Sequence, residues 1–288
     1  IIDKKDKLIL DDNEIINLQD EYYNNILQQL KVNPDSALLL FNNIDEESLN
    51  DASFAQRCMI AGQITDKLYH AIIPTNHYER ANEWFSTYGT PKEQSLSLLY
   101  LGRSYAEDGE YNNAMTTYTK GINVADKHLL FDILGLINSY MGDLYESKGM
   151  IELAIDKYKL AANSFLKSSN NKSYACALRD CGRNYARIDS IEYAISILLQ
   201  ADSIANTIDN INVKASIANT IAGTYILSSK YHEAKSFYIK ALSFGKNKIP
   251  NYIGLIEVYL ATDSLEKAKK MFSELPKDDS QYIYTLKN

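Results

Sequence analysis

One pattern of small and large side chains recurs five times along this chain. Each copy has a small residue, a tyrosine three residues later, a second small residue nine further on, and then a ring or leucine four further on. Successive copies start at Gly102, Gly142, Gly182 and Ala222, each 40 residues apart, and a weaker fifth starts at Ile256. A repeat of fixed period indicates an array of stacked units, in which no unit buries its apolar face alone.

The spacing inside each copy predicts a pair of helices. Gly142 and Tyr145 are three residues apart and therefore share one helix face. Ala154, Tyr158 and Ala161, spaced by four and three, share one face of the next helix. A short polar break separates the two sets, so each unit is predicted to be two antiparallel helices joined by a tight turn. The small residues let the backbones approach, and the large side chains fill the space beside them.

These motifs resemble the tetratricopeptide repeat, whose pattern is L-G-x-x-Y followed by A-x-x-x-F and a small residue. Leu101-Gly102 with Tyr105, and Met141-Gly142 with Tyr145, match its first half. The resemblance implies an all-α fold, a right-handed α-α superhelix of about seven helical hairpins. Several hairpins have a period of 40 residues instead of the roughly 34 of the family. We expect the extra residues to lengthen the helices rather than form insertions.

The regularity of the pattern divides the chain into three parts. Residues 1–90 are predicted to hold two divergent hairpins, with helices starting near Asp12 and at Asn33-Pro34. Residues 91–276 are predicted to form the regular array. Thr90 is expected to cap its first helix, with Pro91 at the first helical position. Residues 277–288 are expected to begin a further truncated helix or to form a tail.

Charge and composition exclude several function classes. The 288 residues carry a net charge of −7, and residues 1–60 account for all of it with 12 acidic and 5 basic side chains. The remainder is neutral and has no basic stripe, which argues against nucleic-acid binding. No apolar run is long enough to span a bilayer. The chain begins at Ile1, so we interpret it as a piece of a longer protein that would engage a membrane only through segments outside this fragment.

Catalytic and metal-binding motifs are not recognisable in the sequence. The four histidines are scattered, and no nucleophile elbow or glycine-rich phosphate loop occurs. Cys176 and Cys181 point to different faces of one predicted helix, and Cys58 is isolated, so we expect core or surface cysteines. We therefore predict a protein without enzymatic activity, cofactor or metal.

The first helix of each hairpin lines the inner side of the array in the resembled family, and its inward positions are candidate binding residues. Arg179, Arg183 and Arg187 follow one another at intervals of four, a ridge of like charge. Such neighbours repel by about 0.2–0.5 kcal/mol per pair. We predict that the concave groove binds a ligand through six residues: Arg103, Asp143, Arg179, Arg183, Arg187 and Asn219.

Two interpretations of the arginine ridge remain open. In the first, Asp143, Glu146 and Asp180 neutralise it inside the protein. In the second, the ridge binds an acidic side chain or the C-terminal carboxylate of a protein or peptide ligand. Chaperone-binding members of the family hold a terminal carboxylate with lysines and asparagines at set positions, and this chain does not reproduce that set.

Two hypotheses describe the biological role. The segment around Asn33-Pro34-Asp35 resembles the opening repeat of envelope-facing sensor proteins of Bacteroidetes. This resemblance implies a non-catalytic protein- or peptide-binding scaffold, the sensory domain of a larger bacterial signalling protein in the cell envelope or periplasm. The alternative is a cytoplasmic peptide-responsive regulator, similar to the long-repeat receptors of signalling peptides in Gram-positive bacteria.

Overall fold

The computed structural model describes residues 12–68, 70–245 and 248–275, and side chains from residue 21 onward. Within these ranges the chain forms fourteen α-helices, one short 3-10 helix at Glu46–Ser48 and no strand. The helices are α1 (Asp12–Val32), α2 (Pro34–Asn42), α3 (Asp51–Leu68), α4 (Thr75–Tyr88), α5 (Pro91–Glu107), α6 (Tyr111–Lys127), α7 (Phe131–Ser147), α8 (Ile151–Lys167), α9 (Asn171–Arg187), α10 (Ile191–Asn206), α11 (Ile211–Leu227), α12 (Tyr231–Ser243), α13 (Lys248–Ala261) and α14 (Leu265–Ser273).

The helices pair into seven hairpins, which confirms the predicted number. Longer helices explain the 40-residue period, as expected: α7 and α8 have 17 residues each, and three-residue turns follow both. The two divergent hairpins are α1 with α2 and α3 with α4. The predicted tail at 277–288 lies outside the described residues.

The chain divides between Leu130 and Phe131 into two compact units. The first unit contains α1 to α6 and the second contains α7 to α14. This division follows contacts and not sequence regularity, so the predicted sequence domains 1–90, 91–276 and 277–288 remain a separate prediction.

Caps and turns fix where the helices begin and end. At the start of α5, Thr90 and Glu93 form a capping box, in which each side chain bonds the other's backbone N–H. At the end of α7, the amide of Met150 donates to the Tyr145 carbonyl (2.9 Å) and that of Gly149 to the Glu146 carbonyl (3.0 Å). This pair of bonds is a Schellman motif with Gly149 at φ 73°. The same turn follows α5, α9 and α11.

Small residues opposite large side chains hold each hairpin together, as the pattern predicts. A Cβ atom added at Gly142 would lie 2.7 Å from the Tyr158 ring, and one added at Gly102 would lie 2.6 Å from the Tyr118 ring. Both rings are fully or almost fully buried. The pattern tyrosines Tyr105, Tyr145, Tyr185 and Tyr225 are buried or half-buried, and the last three pack against the core of the second unit.

The three cysteines are free thiols, Cys58 and Cys181 buried and Cys176 half-buried, in agreement with the prediction. Burial raises the pKa of Cys181 to about 11, and Lys159 only partly offsets this. The thiol therefore stays protonated and behaves as a small apolar side chain.

Candidate functional site

Polar side chains join the first helices of successive hairpins at a constant sequence offset. Glu146 contacts Arg183 and Arg179 contacts Ser216 in the second unit, and Asp66 contacts Arg103 in the first. The partners are 37 residues apart in each case. This offset is one 40-residue period less about one helical turn, so it is the register in which neighbouring first helices face each other. Asn219 adds a further contact between first helices by donating to Asn251 on α13 (2.9 Å), at an offset of 32 residues.

The contacts concentrate in the second unit in a group that we name the arginine cluster: Asp143, Glu146, Arg179, Asp180, Arg183 and Arg187. Four donors converge on one of its carboxylates. Oε2 of Glu146 accepts from Arg183 (2.8 Å), Asn184 (2.9 Å) and the Tyr158 hydroxyl (2.9 Å), and Oε1 accepts from Arg187 (2.9 Å). Glu146 therefore links α7 to α9 and to its own hairpin partner α8.

The second carboxylate of the cluster belongs to Asp180. Arg179 binds it side-on, through Nε at 3.0 Å and Nη2 at 2.8 and 2.9 Å, and uses its remaining nitrogen for Ser216. Arg183 lies 3.3 Å from the same carboxylate. Burial acts to lower the pKa of Arg179, but the charge and hydrogen bond of Asp180, together with the charges of Cys176 and Asp143, outweigh it, and the net shift is upward. Arg179 is thus fully engaged inside the protein.

At Glu146 and Arg183, too, charged and hydrogen-bonding neighbours outweigh the effect of burial on the pKa. Burial acts to raise the pKa of Glu146, but hydrogen bonds from Asn184 and the charge of Arg183 outweigh it, and the net shift is downward. Burial likewise opposes the charge on Arg183, yet Asp180 and Glu146 raise its pKa. Three guanidinium groups face three carboxylates, so the cluster is neutral when all six groups are ionised.

Asp143 completes the cluster through a shared hydroxyl. The Tyr158 hydroxyl lies 2.6 Å from Asp143 Oδ1 and 2.9 Å from Glu146 Oε2, although it has one proton to donate. Desolvation raises the pKa of Asp143 to about 6, the Tyr158 hydrogen bond opposes this, and the charges of Asp180 and Glu146 add to it. The residue as a whole is exposed, so water partly screens the charge of this carboxyl.

The six predicted site residues fall into three places. Asp143, Arg179, Arg183 and Arg187 lie together in the arginine cluster, which contains the internal neutralisation that the first interpretation expected. Asn219 belongs to the Asn219–Asn251 contact farther along the second unit. Arg103 lies in the first unit, where it pairs with Asp66 and Glu107 and its side chain is only 11% exposed.

Sequence analysis missed part of the cluster. Asn184 is completely buried and bonds both Glu146 and the Asp180 carbonyl (2.9 Å), but nothing in the repeat pattern marks it. Tyr158 was predicted only as a packing residue. The polar end of a core tyrosine needs a partner when buried, and this rule was the one signal that pointed to nearby acceptors.

Within the part of the chain that the structure describes, no three His, Cys, Asp or Glu side chains group so as to hold a metal ion. Across those residues, too, no helix is both long enough and apolar enough to cross a bilayer.

Comparison with known proteins defines the fold. No family model and no curated protein matches the sequence. The structure of apo RapI is similar with a TM-score of 0.69, 14% identity, and coverage of 92% of this chain and 79% of RapI. NprR in complex with its cognate peptide NprX is similar with a TM-score of 0.57, 14% identity, and coverage of 95% and 81%.

A third solved structure carries the repeat in its description. The nearly identical TPR-like repeats of a kinesin light chain of P. anserina match with a TM-score of 0.50, 15% identity, and coverage of 70% of this chain and 97% of that one. At these identities the similarity establishes architecture alone. The chain has the fold of the tetratricopeptide-repeat proteins, an all-α array of helical hairpins.

Proposed function

We propose that this chain is a non-catalytic, peptide-binding regulator that uses the first helices of its second unit to hold an extended peptide. The observation that carries the proposal is the row of amide, hydroxyl and guanidinium groups along α7, α9, α11 and α13. These groups sit at fixed positions on rigid helices, where they can bond a peptide backbone or its charged groups.

Solvent exposure also supports binding on the first helices of the second unit. The side chains of Arg183 and Arg187 are 42% and 45% exposed although both are ion-paired. Gly223 lies on α11 one period after Arg183, and a Cβ atom there would meet only the Tyr238 hydroxyl, at 3.8 Å. A glycine in a helix interior costs about 1 kcal/mol relative to alanine. Packing does not require this one, so the face has room for a ligand backbone.

Structural similarity favours the regulator hypothesis over the envelope-sensor hypothesis. One similar structure is described as a complex with a cognate peptide, and it covers 95% of this chain. No comparison supports the envelope role. Under this proposal the chain acts in the cytoplasm, and its partner is a short peptide.

The test is binding of a synthetic array of random nonapeptides, each present as free acid and as C-terminal amide. The proposal predicts that wild-type protein binds a sequence-defined subset and that Arg187→Glu weakens this binding. Lys120→Glu is the matched control, because Lys120 is exposed on a second helix of the first unit and carries the same charge change. Absence of any bound peptide, or equal effects of the two variants, would refute the proposal.

A further inference from the structure

We propose that Arg183, Asn184 and Arg187 form a carboxylate-binding site that Glu146 fills in the free protein, and that a carboxylate of the bound peptide takes the place of Glu146. This inference rests on the proposed function and deepens it, because it names the ligand chemistry and the internal group that competes with the ligand.

The site is already built around a carboxylate. Both oxygens of Glu146 are engaged, one by Arg187 at 2.9 Å and the other by Arg183, Asn184 and Tyr158 at 2.8 to 2.9 Å. None of the four donors lies on α7, because Tyr158 belongs to α8 and the other three belong to α9. A carboxylate arriving from solution would meet the same donors, since they are held by α8 and α9.

The guanidinium groups can be reached from solvent. Nearly half of the side-chain surface of Arg183 and of Arg187 is exposed, while the Glu146 side chain is 19% exposed. Arg103 occupies the same position two periods earlier, but it is deeply buried against Asp66 and Glu107. Of these arginines, the pair on α9 is therefore the one suited to an external ligand.

Release of Glu146 leaves its buried donors with other acceptors. The Asn184 amide also donates to the Asp180 carbonyl at 2.9 Å. The Tyr158 hydroxyl also lies 2.6 Å from Asp143. Arg183 keeps Asp180 at 3.3 Å. A buried donor without an acceptor is costly, so these alternative partners lower the cost of moving Glu146 outward.

One donor gains a partner when the ligand binds. Nε of Arg183 is buried and has no hydrogen-bond acceptor, because Glu146 meets this side chain only at Nη2. A carboxylate that approaches the guanidinium edge side-on accepts from Nε and Nη2 together, as Asp180 does with Arg179. The external carboxylate can thus satisfy a donor that Glu146 leaves unsatisfied, and this difference favours exchange.

Chemical rescue tests the carboxylate site without any peptide. In Glu146→Ala the four donors lose their carboxylate, and acetate is small enough to replace it. We expect the melting temperature of Glu146→Ala to rise with acetate and to saturate, at constant ionic strength set by chloride. Wild-type protein and the double variant Glu146→Ala/Arg183→Gln serve as controls and should show no such saturable rise. Equal acetate responses in all three proteins would overturn the site.

Peptide binding tests the displacement step and remains available if Glu146→Ala does not fold. Glu146→Gln keeps the shape but removes the competing charge, so it should bind array peptides at least about tenfold more tightly. Arg183→Gln and Arg187→Gln should bind them at least about tenfold more weakly. Loss of affinity on C-terminal amidation identifies the peptide terminus as the source, and loss on Glu→Gln or Asp→Asn exchange in the peptide identifies a side chain.

The outcomes separate this inference from the proposed function. If wild-type protein binds peptides but Glu146→Gln and Arg183→Gln leave their affinities unchanged, the displacement mechanism is wrong and peptide binding stands. If Glu146→Gln binds the same peptides as wild-type protein more tightly and Arg183→Gln binds them more weakly, the displacement mechanism is supported. If neither protein binds a peptide and acetate does not rescue Glu146→Ala, both proposals fail.

Discussion

Two interior glycines on equivalent helices give opposite predictions when replaced by alanine. Alanine stabilises a helix interior by about 1 kcal/mol relative to glycine. At Gly223 the new methyl group meets nothing closer than 3.8 Å, so Gly223→Ala should stabilise the protein by about that amount. At Gly142 it would lie 2.7 Å from Cε1 and 2.9 Å from Cδ1 of Tyr158.

The Tyr158 ring cannot move aside cheaply. It is fully buried, and its hydroxyl is held by Asp143 and Glu146. Overpacking of this kind costs about 1–3 kcal/mol. Gly142→Ala should therefore range from neutral to about 2 kcal/mol destabilising once the gain in helix propensity is included. The two variants should differ in unfolding free energy by about 1–3 kcal/mol.

Urea unfolding followed by circular dichroism compares the unfolding free energies of the two variants, and amide hydrogen exchange in α7 and α8 gives the free energy of local opening there. The local free energy is needed because repeat arrays can unfold in parts. A double-mutant cycle with Tyr158→Ala isolates the contact, since removal of the ring should make Gly142→Ala favourable. Equal shifts for Gly142→Ala and Gly223→Ala would refute the idea that small-to-large contacts hold the hairpins together.

Three further predictions concern charge, turns and caps. Asp143→Asn should stabilise the protein at pH 7 and remove a titration. The folded pKa of the Asp143 carboxyl is raised to about 6, so its contribution to stability is present below pH 3.8 and is lost as pH rises through 6. The difference in urea midpoints between wild type and variant across pH 4–7 measures this loss of stability. Ser229 has φ 57°, so Ser229→Gly should raise the unfolding free energy by about 0.5–1 kcal/mol, whereas Gly149→Ser at the equivalent turn should lower it; the same sign for both in urea unfolding would contradict the left-handed turn. Thr90→Ala removes the capping box of α5 and should cost about 1 kcal/mol, with Thr119→Ala, an exposed mid-helix change on α6, as the control in thermal unfolding.

The fold could be predicted because its determinants are local and periodic. Gly142 and Tyr145 define one helix face, Ala154 and Tyr158 define the next, and a fixed period forces the hairpins to stack. Turn chemistry was less visible. Asp189 and Ser229 occupy the left-handed position that Gly149 occupies in its own copy, and neither residue type marks such a turn by itself.

The candidate site could be predicted only in part. The sequence alone gives the spacing of Arg179, Arg183 and Arg187 on one helix, and it places Asp180 directly after Arg179. The choice of partner depends on how neighbouring first helices face each other, which is an offset of 37 residues rather than the period of 40. That offset places Glu146 against Arg183, and it arises from packing between helices, which a single sequence does not display.

Amide hydrogen exchange with and without an array peptide tests whether a peptide binds on the first helices of the second unit. We expect slower exchange in α9 and α11 on addition of peptide, with smaller changes in the second helices α8 and α10. We also expect that Arg187→Glu abolishes this protection and that Lys120→Glu preserves it. Protection confined to α8 and α10, or to the first unit, would contradict binding on the first-helix face.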